Sequence, residues 1–375
     1  MDFKTLFEAQ DLRGKRALVR VDWNVPLENG QVREDYRIRQ SLQTIEHLSK
    51  AGAKVILISH LESKETESLE AVYNHANSLL DLSFSHETIG EEVKKTISLM
   101  KEGEVILLEN LRKHDGEKDN DRAFAVALSE LADMYINEAF SASHREHASI
   151  IGIPKLLPGF AGLHFTEEVK RLSKAFYPKR PFLFILGGAK FDTKIPLIEK
   201  FITVADSIFV GGALAHNFFV EMGGPIGDSL VSEGEYALKE KFASGKVMLP
   251  EDVLVKRADE DIVILPADVL EHDIIMDAGP KTLETLKAKI HDSQFILWNG
   301  PLGNYEKGYK EGTLALARML GQSEREVIVG GADTLATIKE LGLFGKFSFI
   351  STGGGAMLDF LSKGSLPGID ALKKL

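Results

Sequence analysis

The sequence of 375 residues contains no cysteine. This absence excludes disulfide bonds, thiolate metal ligands and cysteine nucleophiles, and it fits a reducing compartment. Positively charged residues are also fewer than negatively charged ones: the chain has 45 Lys and Arg residues and 56 Asp and Glu residues, which gives a net charge of −11. A chain this acidic lacks the basic surplus with which proteins bind nucleic acids or anionic membranes. We therefore expect no nucleic-acid partner and no membrane partner.

Long apolar runs are absent as well. No stretch approaches the ~18 apolar residues of a membrane span, and the segment from Met1 to Lys15 has no apolar core typical of a signal peptide. A length of 375 residues favours two domains. We expect a soluble cytoplasmic protein of two domains.

Short apolar runs recur along the whole chain, separated in many places by helical patterns such as 38–51, 123–132, 334–340 and 357–362. The runs are rich in Val, Ile, Leu and Phe without strict alternation, which is typical of strands buried on both faces of a parallel sheet. The alternation of strands and helices predicts an α/β fold built from βαβ units. The predicted strands are Ala17–Val21, Lys54–Ile58, Glu104–Leu108, Met134–Asn137, Phe182–Leu186, Ser207–Val210, Phe295–Trp298, Glu326–Val329 and Phe347–Ile350.

The segment Thr166–Tyr177 predicts one exposed helix near the middle of the chain. Pro178 and Pro181 follow it before the next predicted strand begins. We interpret this helix as the connection between an N-terminal and a C-terminal α/β half.

The predicted strands of the C-terminal half end in glycine-rich turns. Glycine lets the backbone approach a phosphate closely, and a helix that follows offers free N–H groups. Turns need glycine for other reasons, but five of them at one sheet edge favour a nucleotide site. The turns contain Gly187–Gly188, Gly211–Gly212, Gly300 with Gly303, Gly330–Gly331 and Gly353–Gly355.

The predicted strands of the N-terminal half end instead in charged and polar side chains. Arginines and histidines that converge on one edge suit a small anion with a carboxylate or phosphate group, although a single such residue is usually solvated surface charge. Together the halves suggest phosphoryl transfer between a nucleotide and a small acid. The residues are Arg20, Asp22, Asn24, Ser59, His60, Glu109, Asn110, Arg112, His114, Asn137, Glu138, His144, Arg145 and His147.

Several motifs of other enzyme classes are missing. The chain has no GxxxxGK[ST] phosphate loop, no complete GxGxxG dinucleotide fingerprint and no GxSxG nucleophile motif. His144 and His147 lie three residues apart and leave a metal site open as a weaker alternative.

Ten ordered segments resemble the phosphoglycerate kinase family over essentially the whole chain. Their order and spacing follow the family, and a resemblance in ten segments is highly specific. The segments are 19–26 (VRVDWNVP), 37–39 (RIR), 59–61 (SHL), 108–112 (LENLR), 137–140 (NEAF), 144–147 (HREH), 187–190 (GGAK) with Lys194, 298–301 (WNGP) with Glu306, 330–334 (GGADT) and 351–356 (STGGGA).

The resemblance implies two Rossmann-like parallel-sheet lobes joined by a helical hinge. Residues 1–165 and a returning tail, 364–375, would form the phosphoglycerate-binding lobe, 166–177 the interdomain helix and 178–363 the nucleotide-binding lobe. The implied reaction converts 1,3-bisphosphoglycerate and MgADP reversibly to 3-phosphoglycerate and MgATP. The resemblance further implies a monomer that closes its hinge on both substrates.

The resemblance also implies a role for individual residues. Arg37, Lys190 and Gly354 would act on the group in transfer, and Asp333 would bind Mg²⁺. The phosphoglycerate would contact Asp22, Asn24, Arg37, His60, Arg112 and Arg145, with Ser63 at the place of a further arginine. The nucleotide would contact Lys194, Gly211, Gly212, Gly279, Asn299, Leu302, Glu306, Gly331, Ala332, Asp333 and Thr334.

The chain departs from the family pattern after Ser59–Leu61. The family usually continues with Gly-Arg-Pro, whereas this chain has Glu62, Ser63 and Lys64. Loss of the arginine predicts weaker binding of the acid, which Lys64 could offset in part. Smaller departures are Glu138 for Asp, Ser141 for Gly, Ser143 for Ala and Ala332 for Gly.

These changes leave three alternatives beside an active phosphoglycerate kinase with a raised KM for its acid. The chain could phosphorylate a different small carboxylic acid, or it could be a non-catalytic nucleotide-binding or scaffold protein. From architecture alone, a two-lobed binding module for an acidic sugar or amino acid is also open, although it would not need five glycine turns.

Overall fold

The computed structural model describes residues 2–234 and 236–373. These residues form two compact units, of which the second consists of Arg171–Ser362 and the first of the remainder. The division after Lys170 falls inside the segment predicted as the connecting helix. The tail belongs to the first unit, because Leu372 O accepts from Lys4 N at 3.2 Å and Ser143 O accepts from Gly368 N at 2.9 Å.

The first unit is built around a six-stranded parallel sheet. Its central strands are buried along almost their whole length, as expected for a sheet covered by helices on both faces. In spatial order, the strands are Ser83–Phe84, Val105–Leu107, Lys54–Ile58, Arg16–Arg20, Met134–Asn137 and Gly159–Ala161. The helices are Tyr36–Lys50, Glu70–Ala76, Glu91–Leu99, Asp115–Lys118, Arg122–Ser129, Leu163–Ser173 and Pro367–Asp370, and a small antiparallel ribbon pairs Leu27–Glu28 with Gln31–Val32.

The second unit contains another six-stranded parallel sheet. In spatial order, its strands are Val247–Met248, Ser207–Val210, Phe182–Leu186, Phe295–Asn299, Glu326–Gly330 and Phe349–Ser351. Its helices are Phe191–Phe201, Ala213–Glu221, Leu238–Ala243, Pro280–Asp292, Glu311–Gln322, Ala332–Glu340 and Gly355–Lys363, the last of which ends at the unit boundary.

Both units also contain short helices of other types. The 3₁₀ helices lie at Leu6–Glu8, Leu111–Lys113, Phe140–Ala142, Ile153–Lys155, Lys174–Phe176, Pro266–Asp268, Tyr305–Lys307 and Phe344–Lys346, and one π-helical turn lies at Ala148–Gly152.

The fold class predicted from the sequence is confirmed, and all nine predicted strands are present with ends shifted by at most two residues. The sequence analysis missed a three-stranded antiparallel sheet, which has the order Glu260–Ile264, Val253–Arg257, Ile274–Ala278. Two of its strands, Val253–Arg257 and Glu260–Ile264, are at most half buried: Val253 and Val255 pack with Phe219, while Lys256 is exposed. The third strand, Ile274–Ala278, is buried along almost its whole length, but Asp277 interrupts its apolar run. Neither pattern gives the continuous apolar run that identified the parallel strands.

The helix predicted over Thr166–Tyr177 begins earlier and is not exposed. It spans Leu163–Ser173, and Phe165, Val169 and Leu172 are buried along one face. This spacing of four and three residues is the apolar stripe of an amphipathic helix packed on a core. The prediction of an exposed helix was therefore wrong.

No helix in the described ranges has the length and apolar character that crossing a membrane requires.

Candidate functional site

In the first unit, four neighbouring strands end at one edge in polar side chains, and we call this the charged edge. Because the strands are parallel and adjacent, their carboxyl ends bring these side chains together. Arg20 ends one strand, Ser59 and His60 follow the next, Asn110 follows a third, and the fourth ends at Asn137. The charged edge comprises Arg20, Asp22, Asn24, Arg37, Ser59, His60, Asn110, Arg112, Asn137 and Arg145.

Asp22 and Arg37 form the best-defined pair of the charged edge. Arg37 lies in the first turn of helix Tyr36–Lys50, and its Nη1 donates to Asp22 Oδ2 at 2.9 Å and to Asn24 O at 3.1 Å. The Ser141 hydroxyl also donates to Asp22. Burial favours the neutral carboxyl group, but Arg37, His60, Ser141 and Arg20 outweigh it and hold the pKa of Asp22 at about 2. Asp22 is therefore an ionised anchor that fixes the guanidinium of Arg37.

His60 is buried against a second guanidinium. Arg20 Nη2 lies 3.0 Å from His60 Nδ1, and since a guanidinium only donates, Nδ1 is the acceptor. Burial is the main reason why the pKa of His60 lies well below its ordinary value, and the charge of Arg20 adds to it. The imidazole is consequently neutral, with its proton on Nε2.

A buried network holds Arg20 in place. Arg20 Nε donates to Ser149 Oγ at 2.8 Å, and Ser149 Oγ donates to Glu117 Oε1 at 2.6 Å. Arg20, Ser149 and Glu117 are all fully buried. Ser149 and Glu117 were not predicted as supporting residues, because neither lies at a strand end nor in a segment of family resemblance.

Arg112 and Arg145 add positive charge to the same edge. Together with burial, which is the largest cause, both lower the pKa of His147 to about 4. The charges of Arg112 and Arg145 also lower the pKa of His60, so both guanidinium groups act electrostatically on the charged edge. Ser63 has a local role, since its hydroxyl accepts from Glu65 N at 3.1 Å. The metal site considered for His144 and His147 finds no support, because residues 2–234 and 236–373 contain no cluster of three metal-ligating side chains.

In the second unit, five neighbouring strands end in glycine turns, and we call this the glycine edge. It comprises 187–188, 211–212, 300–303, 330–331 and 353–355, one turn after each strand. At three positions glycine is required by contact with backbone: a Cβ would lie 2.1 Å from Pro301 O at Gly187, 2.4 Å from Gly187 O at Gly300, where φ is +91°, and 2.8 Å from Gly188 N at Gly212, where φ is +60°. The turns therefore pack backbone against backbone.

Lys194 is buried among these turns. Its ammonium group donates to Gly187 O and lies next to Gly188 and Gly300. Burial is the main cause that lowers the pKa of Lys194 to about 8, with Lys190 acting in the same direction and Asp333 opposing both. Lys190 is exposed and immediately precedes helix Phe191–Phe201. Both lysines thus lie at the start of one helix, with one ammonium buried and one in solvent.

A cavity of about 420 Å³ opens beside the glycine edge. Four of the residues predicted to bind nucleotide line it, namely Gly212, Leu302, Glu306 and Asp333. The other predicted residues are not among the described residues of its lining: Lys194, Gly211, Gly279, Asn299, Gly331, Ala332 and Thr334.

Several of these other residues hold the glycine turns in position. Thr334 Oγ1 accepts from Gly300 N at 3.2 Å, and Asn299 Nδ2 donates to Gly330 O at 3.0 Å. Gly279 precedes helix Pro280–Asp292. Ala332 is the first residue of helix Ala332–Glu340 and has no positive φ, so alanine at this position causes no backbone strain. Gly354 has a φ of +52° immediately before helix Gly355–Lys363.

Asp277 is a buried carboxylate of the cavity wall that the sequence analysis missed. It lies on the unpredicted antiparallel sheet, and its Oδ2 accepts from Gly312 N, in the first turn of helix Glu311–Gln322, at 2.9 Å. A Cβ on Gly303 or on Gly312 would come within 2.5 Å of the Asp277 carboxylate. Burial is the main cause that raises the pKa of Asp277 to about 6. Asp277 therefore braces the loop that carries Leu302 and Glu306.

The family model that describes phosphoglycerate kinase matches residues 7–364. A phosphoglycerate kinase from Dictyoglomus turgidum is 42% identical, with 97% of each chain covered, and one from Moorella thermoacetica is 40% identical over 96% of this chain and 97% of its own. Among solved structures, the phosphoglycerate kinase from Coxiella burnetii has a TM-score of 0.85 and 32% identity, with 99% of this chain and 98% of its own covered. The one from Pyrococcus horikoshii has a TM-score of 0.85 and 27% identity, with 98% of each covered.

Proposed function

The chain belongs to the phosphoglycerate kinase family, and we propose that it transfers a phosphoryl group reversibly from 1,3-bisphosphoglycerate to MgADP, which yields 3-phosphoglycerate and MgATP. The observation that carries the proposal is the contrast between the two sheet edges. One edge presents arginine and histidine side chains that suit a small phosphorylated acid, and the other presents glycine turns and lysines that suit the phosphates of a nucleotide.

The acid binds at the charged edge. Arg37, fixed by Asp22, presents a planar fork that can bind two oxygens at once. His60 donates from Nε2, because its Nδ1 faces Arg20 at 3.0 Å. Asn24, Arg112 and Arg145 supply further polar and cationic contacts, whereas Ser63 supplies only a short hydroxyl in place of the family's arginine.

The nucleotide binds in the cavity of the glycine edge. Leu302 and Gly212 offer an apolar wall and a close backbone approach for the base, and Glu306 is an exposed carboxylate for the ribose hydroxyls. Asp333 is exposed on the lining, at the start of a helix. A single accessible carboxylate fits Mg²⁺, which keeps several waters and takes its other ligands from phosphates.

The chemistry needs charge and alignment more than proton transfer. In the direction of ATP use, the acceptor is a carboxylate that is already ionised at pH 7, so no general base is required. Lys190 and Arg37 compensate the negative charge of the phosphoryl group in transfer, and Asp333 would hold the Mg²⁺ that, when bound, would neutralise nucleotide phosphate charge. The turn at Gly354, which opens helix Gly355–Lys363, adds backbone N–H donors and the positive end of a helix.

The lobe of residues 1–165 and 364–375 binds the acid and the lobe of 178–363 binds the nucleotide, with 166–177 as the hinge. Because each lobe supplies one half-site, the reaction requires ligand-induced closure, which also keeps water from the acyl phosphate. We further propose that the protein acts as a cytoplasmic monomer, as suits an enzyme with small, soluble substrates.

A coupled steady-state assay with MgATP and 3-phosphoglycerate tests the function, with the acid varied from micromolar to tens of millimolar. We expect turnover with a raised KM for the acid. A panel of other small carboxylic acids serves as the specificity control. Turnover with another acid alone would reassign the substrate, and a folded protein that binds ADP without any turnover would contradict the proposal.

A further inference from the structure

Arg112, a cation of the charged edge, is paired with a carboxylate from the chain itself. Its side chain is only 9% exposed, and Nη1 donates to Glu62 Oε1 at 2.5 Å. Glu62 stands where the family usually has glycine, a residue with no side chain to reach Arg112. The pair is therefore a property of this chain rather than of the family pattern.

The backbone that leads into Glu62 is held in position. Glu62 N donates to Asn24 Oδ1 at 2.9 Å, and Leu61 N donates to Asn110 Oδ1 at 3.0 Å. Asn110 in turn donates from Nδ2 to Leu61 O at 3.0 Å. These hydrogen bonds fix the backbone from which the Glu62 side chain reaches Arg112, although the Glu62 side chain itself is half exposed.

The Nε group of Arg112 is not the part of the side chain that an anion can reach. This buried Nε has no hydrogen-bond partner among the described residues. A guanidinium offers five N–H donors in a fork that fits two oxygens of one carboxylate or phosphate. Because Nε is buried, an anion that binds Arg112 must use the Nη groups, and Glu62 already occupies Nη1.

The ion pair lines a cavity of about 400 Å³ whose charged side chains are of both signs. Its lining includes Arg112, Lys64 and Lys118, as well as the carboxylates Glu62 and Glu67. Of these two carboxylates, Glu62 is the one that forms an ion pair with Arg112 in the described part of the chain, and its side chain is half exposed, so that it can rotate into solvent.

We infer that Glu62 is a built-in competitor for the acid substrate at Arg112. An anionic group of the substrate displaces the Glu62 carboxylate from Nη1, and the loss of that ion pair reduces the net gain from binding. Glu62 is therefore a specificity-determining residue that weakens affinity for the acid. This inference rests on the proposed function, because it takes the acid site to be the charged edge.

The test is Glu62→Gln, which keeps the shape and removes the charge. We expect the KM for 3-phosphoglycerate to fall about tenfold, equal to the effect of one modest ion-pair contact, while kcat and the KM for MgATP stay unchanged. Glu62→Ala, which removes both oxygens, should lower the KM at least as far. The matched control is Glu70→Gln, an equal charge change on an exposed residue that begins the neighbouring helix, and it should leave the KM unchanged.

A second background separates competition from a general electrostatic effect. In an Arg112→Ala protein there is no guanidinium to compete for, so Glu62→Gln should no longer lower the KM. An unchanged or higher KM in Glu62→Gln with Arg112 intact would overturn the inference, since Glu62 would then be neutral toward the acid or would orient Arg112 for binding.

Failure of the proposed function would be distinguishable. If no variant turns over 3-phosphoglycerate, calorimetry with inorganic phosphate as the probe replaces the assay. Tighter phosphate binding by Glu62→Gln than by Glu70→Gln would support competition at Arg112, and equal or weaker binding would overturn it.

Discussion

The charged edge and the glycine edge occupy the same position in two similar parallel sheets, yet they use different chemical groups. The charged edge relies on side chains whose ionisation is set by buried neighbours, as with Asp22 and its four partners. The glycine edge relies on backbone approach, with turns packed so closely that a single Cβ at Gly187 or Gly212 would collide with backbone atoms. One sheet architecture can therefore serve two kinds of anion.

The largest expected effect comes from the residue that best defines the charged edge. Arg37→Ala should lower kcat by at least about 10²-fold, because one preorganised donor to the group in transfer is lost. Steady-state kinetics measure turnover, and calorimetry measures ADP binding separately. The affinity for ADP should stay unchanged. Arg39→Ala is the matched control, since Arg39 is an exposed arginine two residues further on that pairs with Asp35. A comparable loss of ADP binding in Arg37→Ala would contradict its assignment to the acid site.

If the glycine edge binds the nucleotide through close backbone approach, one added methyl group should weaken ADP binding. Gly212→Ala should weaken ADP binding about tenfold, because the residue has a φ of +60° and its Cβ would meet Gly188 N at 2.8 Å. Gly223→Ala provides the control for backbone strain alone, since Gly223 has a φ of +84° with open space around it. Equal ADP affinities in the two variants, measured by calorimetry, would show that the close approach is not needed.

The same contrast explains how much could be predicted from sequence. Nine parallel strands and both edges were predictable, because continuous apolar runs mark buried strands and the residues after them fall at one sheet edge. The parallel strands Ser83–Phe84, Gly159–Ala161 and Val247–Met248 were not predicted, because these outer strands of two or three residues are too short to give such a run. Asp277, Glu117 and Ser149 could not be predicted. Each acts through tertiary contacts with segments that are distant in the chain, such as Asp277 with Gly312 and Ser149 with Arg20. Glu62 was recognised as a departure from the family pattern, but its partner Arg112 required the structure.

Asp277 tests whether the glycine edge also depends on a side chain. Asp277→Ala removes the carboxylate that accepts from Gly312 N and braces the loop of Leu302 and Glu306. We expect the KM for MgATP to rise about threefold, from the partial loss of one hydrogen bond, with the KM for the acid unchanged. Asp261→Ala is the comparison, because this exposed aspartate contacts the same loop region through Tyr309. A rise in the acid KM alone would place Asp277 outside nucleotide binding.

The smallest effect on activity, and the clearest on stability, is expected behind the charged edge at Glu138. This buried carboxylate accepts from His164 N at 3.1 Å, from Phe165 N at 3.2 Å and from the Thr44 hydroxyl, and so caps helix Leu163–Ser173. Burial is the main cause that raises the pKa of Glu138 from 4.5 to about 7. The buried His164, which interacts with Glu168, has its pKa raised above its ordinary value by that partner despite the opposing effect of burial.

A raised carboxyl pKa means that the folded protein binds the proton more tightly than the unfolded chain. The resulting stability is fully present below pH 4.5 and is lost as the pH rises to about 7. Glu138→Gln should remove this part of the pH dependence, up to about 3 kcal/mol in the free energy of unfolding, while the part of the His164 contribution that comes from Glu168 remains. Urea unfolding at several pH values measures it, with the exposed Glu92→Gln as the control. If Glu138→Gln and wild type lose stability in parallel between pH 4.5 and 7, the carboxyl group is ionised throughout, because the helix N–H groups and His164 then outweigh its burial.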